Sequence, residues 1–242
     1  MRLALISDIH GNSVALEAVI ADIDRAGVDQ IVCLGDVATL GPCPGEVIGM
    51  LRDRGCPCVL GNHDAFMFNE GLVRSYTDAK LVLEAVQWCQ AHMQAEDVEF
   101  LRTFEDKIVV PVEGDLSCYL CHGSPRSFME EVFNTTPDAQ MDEILGRISA
   151  TVIAGGHTHI QMLRKHKGML FVNPGSVGLP FKEPIKDTAP TIMAYAEYAV
   201  VDMTRDMLSV DLRRVRLDKQ RLYTMVAACD YPFRDYLLQQ YT

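Results

Sequence analysis

Residues 1–12 read MRLALISDIHGN, and this stretch carries the first signal about the fold. Residues 3–7 form a mostly apolar run, typical of a buried strand, that ends at an acid. The apolar residues of 13–26 recur at helical spacing before Gly27, so we expect an amphipathic helix that ends there. A second apolar run at 30–34 predicts another buried strand. Strand, helix and strand in this order predict a βαβ unit with parallel strands.

The rest of the chain continues this pattern and then changes character. The amino-terminal half predicts a helix at 44–54, a strand at 56–60 and a long helix at 77–104. The second half predicts a helix that opens at Thr136 and strands at 107–112, 116–121, 151–154, 169–172, 191–202 and 208–215. We therefore expect two mixed β-sheets that face each other with helices outside, in an α/β (α+β) fold. No repeat or linker divides residues 1–242, so we expect a single domain.

The charge and composition exclude several classes of function. The chain has 242 residues, of which 33 are acidic and 22 basic, and its formal net charge is −11. Such a surface repels polyanions, so a long nucleic acid is not an expected ligand. Acidic residues that bind metal ions contribute to this count, so the potential at a site need not follow the net charge. The apolar run at the amino terminus is too short for a signal peptide or a membrane span, and we expect a cytoplasmic protein without membrane contact.

Two further patterns have ordinary explanations. Cys118 and Cys121 form a C-x-x-C, but Tyr119 and Leu120 between them indicate a strand, in which residues three apart point to opposite faces. We therefore expect neither a redox pair nor zinc ligands there. Residues 223–242 are rich in aromatic side chains. A helix packed on the core of its own chain is favoured there over a homodimer contact or a lid.

Five of the seven histidines lie in short polar clusters that directly follow strand-like runs. In α/β proteins, ligands bind beyond the carboxyl ends of the strands, on the loops. The clusters also contain acids, amides and glycines, and they read DIHGN at 8–12, GD at 35–36, GNHD at 61–64, HGS at 122–124 and GGHTH at 155–159. We expect these clusters to come together as one site.

The spacing inside these clusters is that of metal ligands. Asp8 and His10 are two residues apart, so at a strand end both side chains leave the same face, and His157 and His159 repeat this geometry. Asp36 ends an apolar strand, where a buried carboxylate requires a cation or hydrogen bonds. The histidines and carboxylates together predict a metal centre.

Each cluster taken alone has another explanation. An isolated D-x-H can be a helix cap or a satisfied polar pair, and Asn62 can be a neutral ligand or a simple turn residue. His63 can be either a third ligand or a general acid. Together the clusters supply eight oxygen and nitrogen groups at strand ends, for which a purely structural explanation is difficult.

The order of the motifs D-x-H-G-N, G-D, G-N-H-D, H-G-S and G-H-T-H resembles the calcineurin-like metallophosphoesterase superfamily. The sequence NPGS at 173–176 is similar to a loop of its small bacterial phosphodiesterase branch. The resemblance implies a four-layer αββα sandwich that holds two divalent metal ions. It implies that one ion binds Asp8, His10, Asp36 and His159, and that the other binds Asp36, Asn62, His122 and His157.

The resemblance also implies hydrolysis of a phosphate ester by a hydroxide held between the two metals. His63 is expected to be the general acid that protonates the leaving oxygen, with Asp64 holding its ring. Arg126 is a candidate for pairing with a phosphate oxygen, the alternative being an ordinary solvated arginine, and Asn12 is a second candidate for substrate binding. Nitrogen and oxygen ligands without thiolate suit manganese, with iron, zinc, cobalt or nickel as alternatives.

One departure from the superfamily pattern limits the classes of substrate that we expect. Its protein serine/threonine phosphatases have an arginine in G-D-x-V-D-R-G, whereas residues 35–41 read GDVATLG. We therefore favour a small phosphodiester or nucleotide as the substrate, with a phosphomonoester or a phosphoprotein as the alternative. A non-catalytic scaffold on the same fold lacks the catalytic histidine, which this chain retains as His63.

Overall fold

The computed structural model describes residues 1–185 and 189–242. Within these residues the chain forms nine helices, α1 Ser13–Ala26, α2 Pro44–Asp53, α3 Asn62–Phe66, α4 Gly71–Tyr76, α5 Lys80–His92, α6 Ala95–Leu101, α7 Asp138–Leu145, α8 Lys219–Ala227 and α9 Arg234–Tyr241. The same residues form nine strands, β1 Arg2–Ile6, β2 Gln30–Cys33, β3 Ile108–Pro111, β4 Ser117–Leu120, β5 Val152–Ala154, β6 Met162–His166, β7 Met169–Asn173, β8 Tyr195–Met203 and β9 Leu208–Arg216.

The strands form two sheets. The first sheet has the order β2-β1-β8-β9, and the second has the order β3-β4-β5-β7-β6. In the first sheet β1 and β2 run parallel, while β8 is antiparallel to both β1 and β9. In the second sheet β4, β5 and β7 run parallel, and the edge strands β3 and β6 are antiparallel to their neighbours. Both sheets are therefore mixed, as the sequence predicts.

Three groups of buried side chains show how the layers are stacked. Between the sheets, Leu5 and Val32 of the first sheet share a core with Leu120 and Val152 of the second. The opposite face of the first sheet, which includes Ile6, packs against α1, α2, α5, α6, α8 and α9. The outer face of the second sheet packs against α7. The layers therefore follow the order helix, sheet, sheet, helix, which confirms the αββα sandwich.

The long helix expected at 77–104 is divided into α5 and α6. The chain is extended at Met93 and Gln94, between the two helices. Asp97 explains the break, because its carboxylate accepts the backbone N–H of Gln94 at 3.1 Å and so begins a new helix. The apolar period continues through the break, which is why the sequence predicted one helix.

Other short elements also differ from the prediction. Residues 56–60, expected as a strand, make isolated parallel bridges, Cys58 with Cys33 and Val59 with Glu105. The helices α3 and α4 and the strand β6 were not expected. They contain only five, six and five residues, which is too short for a periodic pattern to be recognised.

The aromatic residues near the carboxyl terminus pack against the core of their own chain, as expected. Tyr231, Leu237 and Tyr241 are buried in the helical layer over the first sheet. The Tyr231 hydroxyl donates a hydrogen bond to the carbonyl of Leu40 at 3.1 Å. This bond connects the residues just before α9 with the loop after β2. In the part of the chain that the structure describes, no helix combines the length and the apolar character needed to cross a membrane.

Asn12 fixes the start of α1 immediately after the first polar cluster. Its Oδ1 accepts the backbone N–H of Ala15 at 3.0 Å, which is the usual hydrogen bond of a helix N-cap. Its Nδ2 donates to the carbonyl of Gly178 at 3.1 Å, and the side chain is only 3% exposed. Asn12 therefore connects the loop after β1 with the loop that follows β7.

Replacing Asn12 with alanine is predicted to lower the free energy of unfolding by about 1–2 kcal/mol, because the helix cap and the bond to Gly178 are both lost. Asn12→Asp retains the capping oxygen and should lose less. Urea unfolding followed by circular dichroism measures both effects. The exposed Asn134→Ala serves as the control. An unchanged unfolding midpoint for Asn12→Ala would contradict the capping role.

Candidate metal centre

The polar clusters meet at the carboxyl ends of the strands of both sheets. Asp8 and His10 follow β1, Asp36 follows β2, His122 follows β4, and His157 and His159 follow β5. Asn62 is the first residue of α3. Each of these seven side chains is at most 7% exposed. The structure thus brings together all seven residues that the sequence indicated as metal ligands.

The backbone at this site is strained. Asp8, His10, Asp36, His157 and His159 have φ angles between 45° and 67°, in the left-handed region that non-glycine residues rarely adopt. Such a conformation costs about 1–3 kcal/mol per residue and persists only where the surrounding structure holds it. Here it turns the side chains of neighbouring loops toward one point.

Two glycines allow the loops to approach closely. A Cβ atom at Gly61 would lie 2.1 Å from Asp36 Oδ1, and one at Gly156 would lie 1.9 Å from Ser7 Oγ and 2.6 Å from Asp8 Oδ2. No side chain fits at either position without moving a carboxylate. Gly61 and Gly156 are therefore required by the packing of the loops around Asp36 and Asp8.

Hydrogen bonds to backbone carbonyls determine which ring nitrogen of three histidines is free. The Nδ1 atoms lie 3.0, 2.7 and 2.7 Å from carbonyl oxygens, in the pairs His10 with Thr39, His122 with Leu34, and His159 with Leu179. A carbonyl can only accept, so each Nδ1 carries a proton and donates it. In the neutral ring the lone pair is then on Nε2, which is the arrangement typical of metal-binding histidines.

The first cluster consists of Asp8, His10 and His159. His10 Nε2 and His159 Nε2 are only 3.1 Å apart, although in the neutral rings both carry lone pairs. Asp8 Oδ1 lies 3.3 Å from His159 Nε2 and has no hydrogen-bond partner in the structure. With both rings neutral, three acceptors would face and repel each other in a buried space, and a cation among them would remove the repulsion. Two nitrogens bound to one ion at about 2.1 Å lie roughly 3 to 3.5 Å apart, so the spacing fits a metal ion.

The second cluster consists of Asp36, His122 and His157, with Asn62 beside it. His122 Nε2 lies 3.3 Å from Asp36 Oδ2 and 3.1 Å from Asn62 Oδ1. His157 Nε2 is buried and has no hydrogen-bond partner in the structure. A buried nitrogen without a partner costs free energy, and a bound cation would satisfy it.

Asp36 lies between the two clusters. Its Oδ2 is 3.3 Å from His122 Nε2 in the second cluster and 3.8 Å from His10 Nε2 in the first. Asp8 Oδ1 lies 4.0 Å from His122 Nε2, so the clusters are adjacent. Asp36 is therefore placed to contact an ion in either cluster. Two adjacent His/Asp clusters with a carboxylate between them are consistent with a site for divalent metal ions.

The charges at the site require a compensating positive charge. Burial alone would raise the pKa of Asp8, but His159 and His122 lower it to about 2. Burial lowers the pKa of His10 to about 3 and that of His157 to about 4, so both rings are neutral at pH 7. For His122, burial acts downward but the charge of Asp36 raises the pKa to about 9. Without metal, a proton on His122 supplies positive charge that a cation would replace.

His63 lies beside the clusters and is held by Thr39. Its Nδ1 is 2.7 Å from Thr39 Oγ1, and its ring centroid is 5.1 Å from that of His10 in an edge-on arrangement. The carbonyl of the same Thr39 accepts the proton of His10 Nδ1. One residue thus orients both a candidate ligand and the candidate general acid.

Asp64 has a different role from the one expected. The sequence-based interpretation was that it holds the His63 ring, but the ring is bonded to Thr39 instead. The Asp64 carboxylate accepts three backbone N–H groups, from Asp36 at 2.7 Å, Val37 at 2.9 Å and Gly61 at 3.1 Å. Asp64 therefore fixes the loop after β2 against the start of α3, and the expectation that it holds the His63 ring is wrong.

The two candidates for substrate binding are engaged elsewhere. Both polar atoms of Asn12 are used, one in capping α1 and the other in the bond to Gly178. Arg126 pairs with Glu130 through its Nε and a terminal nitrogen. Glu130 also accepts a hydrogen bond from Ser124. The interpretation of Asn12 as a substrate ligand is not supported by these contacts, and phosphate binding by Arg126 stays a prediction.

Several residues around the site were not identified from the sequence. Thr39 was missed because a threonine in a loop carries no signal of its own. The loop at 173–176 was noticed, and it supports the site through Asn173, which donates to the Gly156 carbonyl at 2.7 Å, and Ser176, which donates to the Asp8 carbonyl at 2.7 Å. Tyr76 lies beside the histidines, where only the fold places it.

Comparisons with known proteins agree with this geometry. Residues 1–200 match the family described as the calcineurin-like phosphoesterase superfamily domain. An uncharacterised protein of Methanocaldococcus jannaschii is 27% identical over 239 residues, which cover 93% of this chain and 91% of that protein.

Two solved structures share the whole architecture. A metallophosphoesterase from Sphaerobacter thermophilus is 25% identical with a TM-score of 0.75, over 100% of this chain and 98% of that one. A hypothetical protein from Pyrococcus horikoshii OT3 is 19% identical with a TM-score of 0.81, over 98% of this chain and 96% of that one, and it shows the fold alone. The family match over residues 1–200, together with the paired His/Asp clusters, leads to one conclusion: this chain belongs to the calcineurin-like phosphoesterase superfamily.

Proposed function

We propose that this metallophosphoesterase hydrolyses a small phosphodiester or nucleotide. The observation that carries the proposal is the position of Asp36, which belongs to one buried His/Asp cluster and lies 3.8 Å from His10 of the other. A pair of divalent cations, when bound, supplies a nucleophile at neutral pH and neutralises the charge of the phosphate. The donors are nitrogen and oxygen atoms without thiolate, which favours manganese, with iron, zinc, cobalt or nickel as alternatives.

The ligand residues divide between the two positions. We assign Asp8, His10, His159 and Asp36 to one cation, and Asp36, Asn62, His122 and His157 to the other. Backbone carbonyls hold the rings of His10, His122 and His159, so little reorganisation is needed when a cation binds. The rigid donors would fix the position of a phosphate ester relative to His63.

His63 is proposed to protonate the leaving oxygen. Burial lowers the pKa of His63 in the free protein. A phosphate anion beside the ring favours the protonated form and opposes this effect. In that form Nδ1–H donates to Thr39 Oγ1, and the proton on Nε2 is available to the substrate. Thr39 would therefore set the direction in which His63 delivers its proton.

The substrate class is proposed from the loop after β2 and from the surface charge. No arginine follows Asp36 in residues 36–41, whereas the resemblance associates an arginine there with protein phosphatases. The net charge of −11 disfavours long polyanions. A small ester meets both conditions.

Removing metal is predicted to abolish hydrolysis, and added manganese should restore it. Asp36→Asn, which preserves the shape of the side chain, should lose most of the bound metal because the shared ligand is weakened. Bound metal should also raise the melting temperature, since a ligand of the folded state stabilises it by roughly 2.7 kcal/mol at a hundred times its Kd.

Metal content by mass spectrometry and hydrolysis of bis(p-nitrophenyl) phosphate measure these effects. The exposed Asp115→Ala is the matched control and should retain metal and activity. Full turnover by verified metal-free protein would disprove the proposed centre.

Metal affinity should fall as the pH decreases below about 9, because His122 must lose its proton before it can bind.

Diester or nucleotide substrates are predicted to exceed phosphopeptides by at least about tenfold in kcat/KM, a difference of roughly 1.4 kcal/mol in transition-state stabilisation. A panel with manganese should contain bis(p-nitrophenyl) phosphate, p-nitrophenyl phosphate, cyclic nucleotides, dinucleoside polyphosphates and a phosphopeptide. A preference for the phosphopeptide would reverse the proposed substrate class. A binding scaffold would retain metal and hydrolyse none of them.

His63→Gln is predicted to keep both metals and to slow esters with a poor leaving group by about 10²- to 10⁴-fold, the usual contribution of a general acid. A p-nitrophenyl ester should be slowed much less, because p-nitrophenolate hardly needs a proton. Rates on both ester classes and the metal content decide the role of His63. His92→Gln, an exposed histidine on α5, is the control. Equal losses on both esters together with lost metal would show that His63 is a ligand instead.

A further inference from the structure

Tyr76, the last residue of α4, lies next to the metal centre and is not used in the mechanism proposed above. Its ring centroid is 6.3 Å from that of His63 and 6.0 Å from that of His157. Phe66, which is fully buried, lies 5.7 Å away on the protein side. Tyr76 itself is 39% exposed. Tyr76 is therefore a partly exposed aromatic residue beside the two histidines.

The hydroxyl of Tyr76 does not explain why a tyrosine stands here. Among the residues that the structure describes, none forms a hydrogen bond with it. Three other tyrosines use their hydroxyls in the structure, Tyr198 with Asp22, Tyr231 with Leu40 and Tyr236 with Pro190. A tyrosine that is partly exposed, and whose hydroxyl forms no hydrogen bond with the described residues, is available for contact with a ligand.

The second aromatic side chain at the centre is not equally available. Phe181 stacks on His159 with 4.2 Å between ring centroids and 22° between the ring planes. One of its faces is therefore already covered by a candidate metal ligand. The ring planes of Tyr76 and His63 are inclined at 82° and those of Tyr76 and His157 at 53°, so neither histidine stacks flat on the Tyr76 ring as His159 does on Phe181.

We infer that Tyr76 binds the aromatic part of the substrate, and that the substrate is a phosphate ester whose leaving group carries a nucleobase or an aryl ring. This inference rests on the proposed function, which places the phosphate at the two clusters and the leaving group beside His63. The group next to His63 is then also next to Tyr76. Stacking is uncharged, so it adds affinity for a nucleotide without requiring a basic surface.

The test measures binding without turnover on the manganese-loaded protein, and the probes, called AMP and ribose 5-phosphate below, are the non-hydrolysable phosphonate analogues of these two esters. The two probes share the phosphate and the sugar and differ in the nucleobase. We expect AMP to bind about tenfold more tightly than ribose 5-phosphate, as stacking of one base on one aromatic ring provides. Isothermal titration calorimetry gives both dissociation constants.

Two variants separate the ring from the hydroxyl. Tyr76→Leu should remove the preference for AMP and leave the affinity for ribose 5-phosphate unchanged. Tyr76→Phe should keep the preference, because the ring remains. Tyr223→Leu is the matched control, since Tyr223 is also 39% exposed but lies on α8. Metal content and melting temperature of each variant verify that the centre is intact.

Three results would overturn the inference. The first is equal affinity of the unmodified protein for AMP and ribose 5-phosphate, which needs no variant. The second is an equal loss of both probes in Tyr76→Leu, which would indicate a structural role. The third is a loss of the AMP preference in Tyr76→Phe, which would assign the contact to the hydroxyl. A protein that binds AMP through Tyr76 but hydrolyses no ester would contradict the proposed function and the identification of the bound molecule as a substrate, while the contact between Tyr76 and the nucleobase would stand.

Discussion

Two buried carboxylates, Asp8 and Asp36, impose the constraint on which the site depends. Their negative charges lie among buried histidines, of which His10 and His157 are neutral at pH 7 and His122 is protonated, in a region almost closed to water. Charge in such surroundings is costly unless a cation or several hydrogen bonds compensate it. The Nε2 atoms of His10 and His159 are 3.1 Å apart, and their lone pairs in the neutral rings add to the need for a compensating cation. The loops at the carboxyl ends of the strands are therefore arranged to hold positive charge.

The two sheets are joined at the site by hydrogen bonds that reach from one to the other. The backbone N–H of His157, after β5, donates to Asp8 Oδ2 after β1 at 3.0 Å. The ring of His122, after β4, donates to the carbonyl of Leu34 after β2 at 2.7 Å. These contacts hold loops of different sheets in a fixed relation, which the strained left-handed residues need in order to persist. The same contacts thus stabilise the loops and fix the geometry of the candidate ligands.

The loop after β2 carries more of this organisation than any motif indicates. Asp64 binds it through the backbone N–H groups of Asp36 and Val37, and Tyr231 binds it through the carbonyl of Leu40. Thr39, at its centre, contacts two histidines. Tyr231, near the carboxyl terminus, therefore helps to hold this loop beside the candidate metal centre, although it lies far from the candidate ligands in sequence.

The sequence by itself indicated the α/β class, the two mixed sheets and the polar residues of the site, because hydrophobic period and the spacing of polar residues after strands are local properties, while the division of these residues between two ions followed from the resemblance to the superfamily. It also placed the clusters at strand ends, where parallel strands bring their loops to one edge. It did not determine the break between α5 and α6, the partner of His63, the structural use of Asn12 and Asp64, or the position of Tyr76. Each of these depends on contacts between residues distant in the chain, such as the pairing of His63 with Thr39, and often on backbone carbonyls that every residue possesses. Only the tertiary structure decides which of many equivalent partners are brought within hydrogen-bond distance.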